Sequence, residues 1–532
     1  MRYQLILALG FVAQFLSRGE ETGGGKDWPV YGGDPGGSKY STLKQINRGN
    51  VTKLKPAWTF STDEPLTPLP GKHKDPAFEA TPIVIRGTMY LSTPYGKAFA
   101  LDAATGQQKW MYDSKIDQKG DYGDFANRGV TYWADGKAGA GATCRERIFF
   151  APIDARLIAL DAATGKPCSD FGNKGIIDLV DGLHRKPEYK GEYEETSPPV
   201  VIDDLVVAGS AIADNHRAQS PTGEVRAFDA RTGALRWTWQ ALTLESTGAA
   251  NAWSILSVDL ERHLVFVPTG SASPDYFGGL RRGDNRDANS VVALNSKTGE
   301  RVWGFQTVHH DLWDYDVASQ PVLFTMRRRG VDIPAVAAGS KTGHFFLLDR
   351  QTGQPLFDVE ERRVPASDVP GEEAWLTQPV PLAPRPWIPQ TLKAEDAWGI
   401  NDEDRNWCKE KIASLRNDGM FTPPSLKGTL VLPGNVGGMH WGGAAWDPDH
   451  GLLIVPTNNL AAVIRLIPRD KFAEERKASR IGLEVTAQSG APYAMSRALL
   501  RAPAGQDCGS AAAAWEGAGT CKPNAPRRTA AP

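Results

Sequence analysis

An all-β fold of four-stranded antiparallel units stacked into a β-propeller is what this sequence predicts. Three observations predict it: a hairpin signature that recurs five times, a tryptophan at a fixed offset after that signature, and a composition rich in turn formers. Ala98 to Gly106 reads Ala-Phe-Ala-Leu-Asp-Ala-Ala-Thr-Gly, and related copies run from Leu157 to Gly165, Arg226 to Gly233, Val292 to Gly299 and Phe346 to Gly353. The turn Asp or Asn stands at 102, 161, 229, 295 and 349, giving spacings of 59, 68, 66 and 54 residues. Each copy reads as a short apolar strand, a turn built on Asx and Gly geometry, and a return strand. Trp110, Trp237 and Trp303 each lie eight residues beyond the turn residue, so one ring falls at the same place on each return strand. A tryptophan so placed can dock one blade on the next. A single four-stranded sheet cannot cover both of its faces, so such units stack radially, whereas a β-helix repeats at a far shorter period.

Taken along the chain, Met1 and Arg2 precede an apolar run from Leu5 to Leu16. That run is too short to span a bilayer and fits the apolar core of a secretory signal, so residues 1–24 read as a signal segment and the destination as the periplasm. Residues 25–500 form the propeller. Asn50 to Phe60 reads as the outer strand of a first blade, and Gly428 to Asn435 with Trp441 to Asn459 as strands of a sixth. Between Pro365 and Pro424 a long Pro- and charge-rich connection is expected to form loops or small helices on one face. Residues 501–532 contain no Leu, Val, Ile, Phe or Tyr, so no blade can be built from them, and a disordered tail or truncated end is expected.

With 55 Gly, 38 Pro and 16 Trp, the chain suits short strands and turns rather than long helices. Lys and Arg total 60 against 62 Asp and Glu, so no overall field draws in nucleic acid or an anionic membrane. None of the five cysteines lies in a Cys-x-x-Cys pair, which leaves a zinc ribbon or thioredoxin motif unsupported. Cys144 and Cys168 flank a strand-turn-strand stretch, and either bridge in an oxidising compartment or stay as two buried thiols.

The segment from Thr307 to Asp316, Thr-Val-His-His-Asp-Leu-Trp-Asp-Tyr-Asp, resembles the catalytic segment of the quinoprotein dehydrogenases, and of the membrane-bound glucose dehydrogenases above all. Over residues 27 to 500 further motifs follow in the family's order. The resemblance implies an eight-bladed propeller, of which the last blades are missing or incomplete here, and an enzyme that oxidises an aldose or polyol with pyrroloquinoline quinone. It implies that Asp314 is the general base that takes the hydroxyl proton as hydride leaves carbon. By the same resemblance Glu79 hydrogen-bonds the quinone, Arg128 of Asn-Arg-Gly pairs with a cofactor carboxylate, Thr196 offers a hydroxyl, and Trp253 is the ring on which the quinone stacks. Lys341 of Ser-Lys-Thr-Gly stands where the glucose dehydrogenases carry the lysine that contacts the quinone oxygens and stabilises charge developing there. Asn458 or Asn459 adds a cofactor contact.

Metal ligands are implied at Asp214 and Asn215, at Ser271 or Ser273, and at Asp314 and Asp316. These hard oxygens suit Ca2+ or Mg2+, with a lanthanide also compatible, since lanthanide-using relatives carry an extra carboxylate at the position of Asp316. The cation would polarise the quinone carbonyl. The sequence departs from the family where Tyr122-Gly123 replaces a vicinal cysteine pair and Asp124 replaces a histidine over the cofactor. No Cys-x-x-Cys-His haem motif occurs, so electrons pass to a separate acceptor, ubiquinone or a cytochrome, with peripheral association at the inner membrane. Other readings of the same residues are a quinate or general alcohol dehydrogenase, and a non-catalytic propeller scaffold or inactive truncated product.

Overall fold

The computed structural model describes residues 27–65, 76–123, 125–479, 483–502 and 508. The signal run, Asp124, Cys521 and nearly all of 501–532 lie outside the described residues.

Four sheets follow one another as up-and-down antiparallel meanders of four strands, with neighbours in space also neighbours in sequence except that in the third the short strand Ala211–Ile212 intervenes and pairs instead with Tyr193–Glu194. The first comprises Ile83–Ile85, Thr88–Ser92, Lys97–Asp102 and Gln108–Asp113. The second runs from Thr131–Ala134 to Ile176–Asp178, the third from Val200–Ile202 to Leu235–Trp239, and the fourth from Ser257–Asp259 to Arg301–Gln306. A three-stranded sheet follows (Val322–Arg328, Val331–Gly339, Phe345–Asp349). Strands of Val, Ile, Leu, Ala and Phe are buried on both faces because each sheet is covered by its neighbours.

The repeated turn does what its residues predict. Oδ1 of Asp102 accepts from the amides of Ala104 and Thr105 and from the Thr105 hydroxyl, and Asp229 and Asp349 make the same three bonds. The glycine that closes each turn then meets a tryptophan of the preceding blade. A Cβ on Gly165 would lie 2.6 Å from Trp110, one on Gly299 2.7 Å from Trp237, and one on Gly353 2.6 Å from Trp303. Each of those indoles also donates to a carbonyl in the turn it covers: Trp110 to Ala162 at 3.0 Å, Trp237 to Ser296 at 2.7 Å, Trp303 to Arg350 at 3.1 Å. Between the second and third sheets no such ring is present. There Gly233 packs on Gly172 and Ile177, beside a disulfide between Cys144 and Cys168. The pairing left open by the sequence is therefore a bond.

Three sequence expectations change, the first being the return strand after Gly353, where Leu348 makes only an isolated bridge to Pro355. Asn50 to Phe60 forms no strand; Val51–Lys53 is a 3₁₀ turn and the rest joins no ladder, although Trp58 still covers Gly106 as the first docking indole. The two segments assigned to a sixth blade fall in different sheets. Thr429–Val431 pairs with Ala462–Pro468 in a four-stranded sheet completed by Tyr493–Leu499 and Glu484–Thr486, whereas Ala445–Asp447 and Leu452–Ile454 form a separate hairpin against Val322–Arg328. Strand-like composition located these segments but carried no information on pairing partners. The Pro365 to Pro424 connection holds the strand Thr377–Pro381, paired with Val359–Arg363 just ahead of it, a 3₁₀ turn and the helix Asp402–Ser414, which Asn401 caps by accepting from the Asp404 amide at 2.7 Å. That helix is tied by Cys408 to Cys508.

Replacing Trp237 by Ala removes a ring that is 6% exposed, its bond to Ser296 and its cover of Gly299. The expected loss is about 3–5 kcal/mol in urea unfolding, with Trp237→Phe losing less.

Candidate active site

In an up-and-down sheet the lead-in to the first strand and the loop between the second and third strands lie at the same end, while the Asp-x-x-Thr-Gly turn lies at the other. Glu79, Arg128, Thr196, Trp253 and Asp314 with Asp316 all sit in lead-ins, to the first, second, third, fourth and fifth sheets respectively. Asp214, Ser271 and Lys341 sit in the loops between second and third strands of the third, fourth and fifth sheets. Topology alone thus gathers these side chains at one end. Backbone bonds stitch adjacent lead-ins together, the Thr81 amide donating to the Arg128 carbonyl at 3.0 Å and Arg128 to Thr196 at 2.9 Å, and within the fifth sheet the Lys341 amide ties the second loop to the lead-in by donating to Asp316 at 2.9 Å.

At the centre stands an ion network. Lys341 Nζ is 2.7 Å from Asp314 Oδ1 and 2.8 Å from Asp316 Oδ2. Asp316 also accepts from the Trp253 indole N–H at 3.1 Å and from the Ser271 amide at 2.8 Å. Its approach depends on Gly270, where a Cβ would stand 2.9 Å from Asp316 Oδ1. The second oxygen of Asp314 faces Arg497 Nη1 at 3.1 Å, and the same nitrogen donates to the Tyr276 hydroxyl at 2.6 Å. Arg497 Nε meets Glu484 at 2.8 Å. Asp314 adopts φ +63°, a left-handed conformation uncommon outside glycine, held by the packing of its loop.

That loop is anchored on three sides. His310 Nε2 lies 3.0 Å from Glu372 of the long connection, both side chains being buried. Trp313 donates to the Thr422 carbonyl at 2.8 Å, and the Tyr315 hydroxyl to that of Pro433 at 2.6 Å.

Burial and charge divide the four carboxylates. Burial pushes Asp314 well above the usual carboxylate range, and the Asp316 and Asp214 charges add to it, while Lys341 and Arg497 oppose it. Burial would raise Asp316 as well, but there the Lys341 ammonium and the hydrogen bonds from Ser271 and Trp253 win and hold it below its usual value. Asp214 is pushed up to about 7, by burial first and then by Asp316. Asp275 is driven far up by burial and by Asp214, Asp314 and Asp316.

A second cluster adjoins the first. The Arg128 guanidinium, 1% exposed, pairs with Glu79 Oε2 at 3.0 Å and lies 5.3 Å from the Trp253 ring and 5.1 Å from that of Trp441. Its Nε and Nη1 are buried without a hydrogen-bond partner among the described residues. Hydroxyls of Thr196 and Ser197 donate to the Trp253 carbonyl at 3.3 and 2.7 Å and so fix that ring's backbone.

Not every expected residue joins these clusters through its side chain. Asn458 is exposed and reaches the region only through its backbone amide, which donates to Gly438 at 2.9 Å. Asn215 Nδ2 donates to Glu484 at 3.4 Å. Ser271 Oγ is shared between Asp311 at 2.6 Å and Asp316 at 3.0 Å, and Ser273 Oγ bonds to Ser220 and the Ala218 carbonyl. Sequence reasoning missed Arg497, Tyr276, Asp275, Trp441 and Glu372. Of these, Tyr276 and Asp275 directly follow the Thr-Gly-Ser-Ala-Ser-Pro motif and could have been flagged by it; Arg497 and Glu372 come from outside the repeat.

The profile of the PQQ glucose/ethanol/alcohol dehydrogenase β-propeller domain matches residues 28–516. The chain belongs to that family. It is 36% identical over 508 residues to the quinoprotein glucose dehydrogenase of Escherichia coli, covering 91% of this chain and 63% of that protein. It is equally 36% identical, over 516 residues, to the quinate/shikimate dehydrogenase (quinone) of Acinetobacter baylyi, again covering 91% and 63%. The chain thus spans under two thirds of the length of these relatives. Among solved structures, the quinohemoprotein alcohol dehydrogenase of Comamonas testosteroni superposes with a TM-score of 0.60 at 26% identity, over 83% of this chain and 59% of that one.

Lys341→Met is expected to leave Asp314 and Asp316 buried without their shared ammonium, at a cost of about 3–5 kcal/mol in urea unfolding of the cation-free protein. Lys341→Arg keeps the charge and should lose less.

Proposed function

We propose that this chain carries the catalytic propeller of a dehydrogenase that oxidises a secondary alcohol or lactol of an aldose or polyol, using pyrroloquinoline quinone and a hard cation. The observation that carries the reading is Asp314, a buried carboxylate held between Lys341 and Arg497 at the end of the sheets where the cofactor-type residues converge. An eight-bladed ring belongs to the same reading.

The residues fit both groups. Arg128 offers two buried donors with no partner among the described residues, beside Trp253, which suits a planar ligand bearing carboxylates. Asp314 and Asp316 share Lys341, and Asp214 and Asp275 lie within electrostatic reach of them and are pushed up by burial and by those like charges, an accumulation of carboxyls that a divalent cation such as Ca2+ or Mg2+ would relieve. Glu79, Arg128, Thr196, Trp253 and Lys341 would hold the quinone; Asp214, Asp314 and Asp316 would hold the cation, with Asn215 beside them. Bound there, the quinone supplies the two-electron acceptor for hydride, and the cation polarises its carbonyl.

The chain's own part is proton handling and orientation. Burial raises the proton affinity of Asp314 far above that of a solvated carboxylate, which makes it a stronger base towards a substrate hydroxyl. Lys341 fixes the base through Oδ1, and Arg497 with Tyr276 fixes Oδ2, leaving it one orientation. The left-handed turn at Asp314, braced by His310 and Glu372, keeps the carboxylate from rotating out.

Electrons then pass to an external acceptor, ubiquinone or a cytochrome. The Cys144–Cys168 and Cys408–Cys508 disulfides support the periplasm as the compartment, at or near the inner membrane. Among the described residues no helix is long and apolar enough to cross a membrane. The equal identity to a quinate/shikimate dehydrogenase keeps a cyclic hydroxy acid as the second substrate class.

Two substitutions test the assignment in dye-linked assays with glucose, other polyols and quinate. Asp314→Asn should lower kcat by at least about 100-fold while quinone binding, read from quenching of tryptophan fluorescence, is unchanged; full activity would remove Asp314 as the base. Arg128→Ala should weaken quinone binding by about 2 kcal/mol or more, ~30-fold.

A further inference from the structure

Both cations that grip Asp314 carry a second carboxylate. Lys341 is closed on Asp314 and Asp316, and Arg497 is divided between Asp314 at one end and Glu484 at the other. Glu484 reaches Arg497 by strand register. On the edge strand Glu484–Thr486 it is the direct cross-strand partner of Arg497, and side chains so paired share a face of the sheet. Its other oxygen accepts from Asn215 Nδ2 at 3.4 Å. The chain just beyond is pinned to the loop that follows Asp214, the Ser489 amide donating to the His216 carbonyl and the Ala218 amide to that of Ser489, each at 2.8 Å. Glu484 is thus held at the active-site end.

This arrangement decides what Arg497 can bind. A guanidinium recognises a carboxylate best through two adjacent N–H groups, either along its Nε side or across its two terminal nitrogens. Nε of Arg497 donates to Glu484 at 2.8 Å, and Nη1 donates to the Tyr276 hydroxyl at 2.6 Å and to Asp314 at 3.1 Å. Neither edge keeps both of its donors for an incoming anion. The neighbouring Arg128 is paired with Glu79 and faces the rings of Trp253 and Trp441, in the pocket proposed for the quinone. An anionic substrate would therefore bring a further negative charge to a base whose two cations are already shared by carboxylates. A neutral polyol or lactol meets no such barrier, since its hydroxyls need only hydrogen-bond donors and acceptors. Exposure separates the two carboxylates on Arg497: the Asp314 side chain is 11% exposed, whereas that of Glu484 is 42% exposed and opens to solvent.

We infer that Glu484 is a specificity-determining residue: by occupying the Nε side of Arg497 it restricts the site to uncharged hydroxylated substrates and turns hydroxy acids away. This rests on the proposed active site and chooses between its two substrate classes. Glu484 acts through Arg497, so its role is positioning, and its effect is on selectivity between substrates of different charge.

Glu484→Gln keeps the size of the side chain and removes its charge, leaving Arg497 with a single carboxylate. The loaded enzyme is assayed by dye reduction with glucose, glycerol and quinate, and quinate binding to the cofactor-free protein is read by titration calorimetry. The wild type should favour the neutral substrates. In Glu484→Gln the KM for quinate should fall while that for the neutral substrates does not, and the ratio of kcat/KM for quinate over the better neutral substrate should rise by at least about tenfold. Calorimetry should show quinate bound more tightly by the variant, and high salt should erase that gain. Glu484→Asp, which keeps the charge, should return the ratio towards the wild-type value. A wild type that prefers quinate, or a Glu484→Gln variant with unaltered ratio and unaltered quinate binding, would overturn the role of Glu484 and leave the dehydrogenase standing. An equal rise in Glu484→Asp would overturn it too, because lost packing and not lost charge would then be the cause. A wild type that reduces the dye with none of the three substrates would sink the reading of the site itself, and this inference with it.

Discussion

The structure depends on one recurrent contact, an indole of one blade laid over the turn glycine of the next. It needs two things that the sequence supplies at a fixed distance: an Asx residue whose side chain caps the turn amides, and a glycine whose missing Cβ leaves room for the ring. Only with both present can the indole N–H also reach a carbonyl in that turn. The contact sets the spacing between blades at the end of the sheets away from the active site. At the opposite end the lead-ins and second loops are then free to differ, and it is there that every candidate catalytic group lies.

At that end electrostatics replaces hydrophobic packing as the organising force. Burying several carboxylates together is unfavourable unless each has a counter-charge or donor. Asp316 receives the Lys341 ammonium, the Trp253 indole and both donors of Ser271, and Asp314 is gripped on both oxygens, whereas Asp214 and Asp275 are left to repel their neighbours. The uneven distribution gives acids of the same type different proton affinities within one cluster. Residues of a single type are thus given proton affinities on either side of the ordinary carboxylate value.

Much of this was legible in the sequence because repetition and motif order are local properties. The repeated turns, three of the five expected hairpins, the docking tryptophans, the long connection, and the convergence of Asp314, Asp316, Lys341, Trp253 and Arg128 all follow from residues close together in the chain or in equivalent positions of successive units. What escaped was long-range. Arg497 reaches Asp314 from a strand 183 residues away, and Glu372 reaches His310 across 62. No spacing rule links such pairs. The same limit explains the strand partners misassigned after Gly428: composition marks a strand but not which edge it joins. Asn458 shows the converse, a residue in a plausible register whose side chain points to solvent.

The seam between the second and third blades differs from those around it, for the indole is replaced there by a close glycine contact beside the Cys144–Cys168 bond. Every other docking contact described here is indifferent to thiol chemistry, but this one sits next to a covalent link that exists only where thiols are oxidised. That seam is thus the one place among these contacts where the docking of one blade on the next answers to the oxidation state of two sulfur atoms as well as to packing.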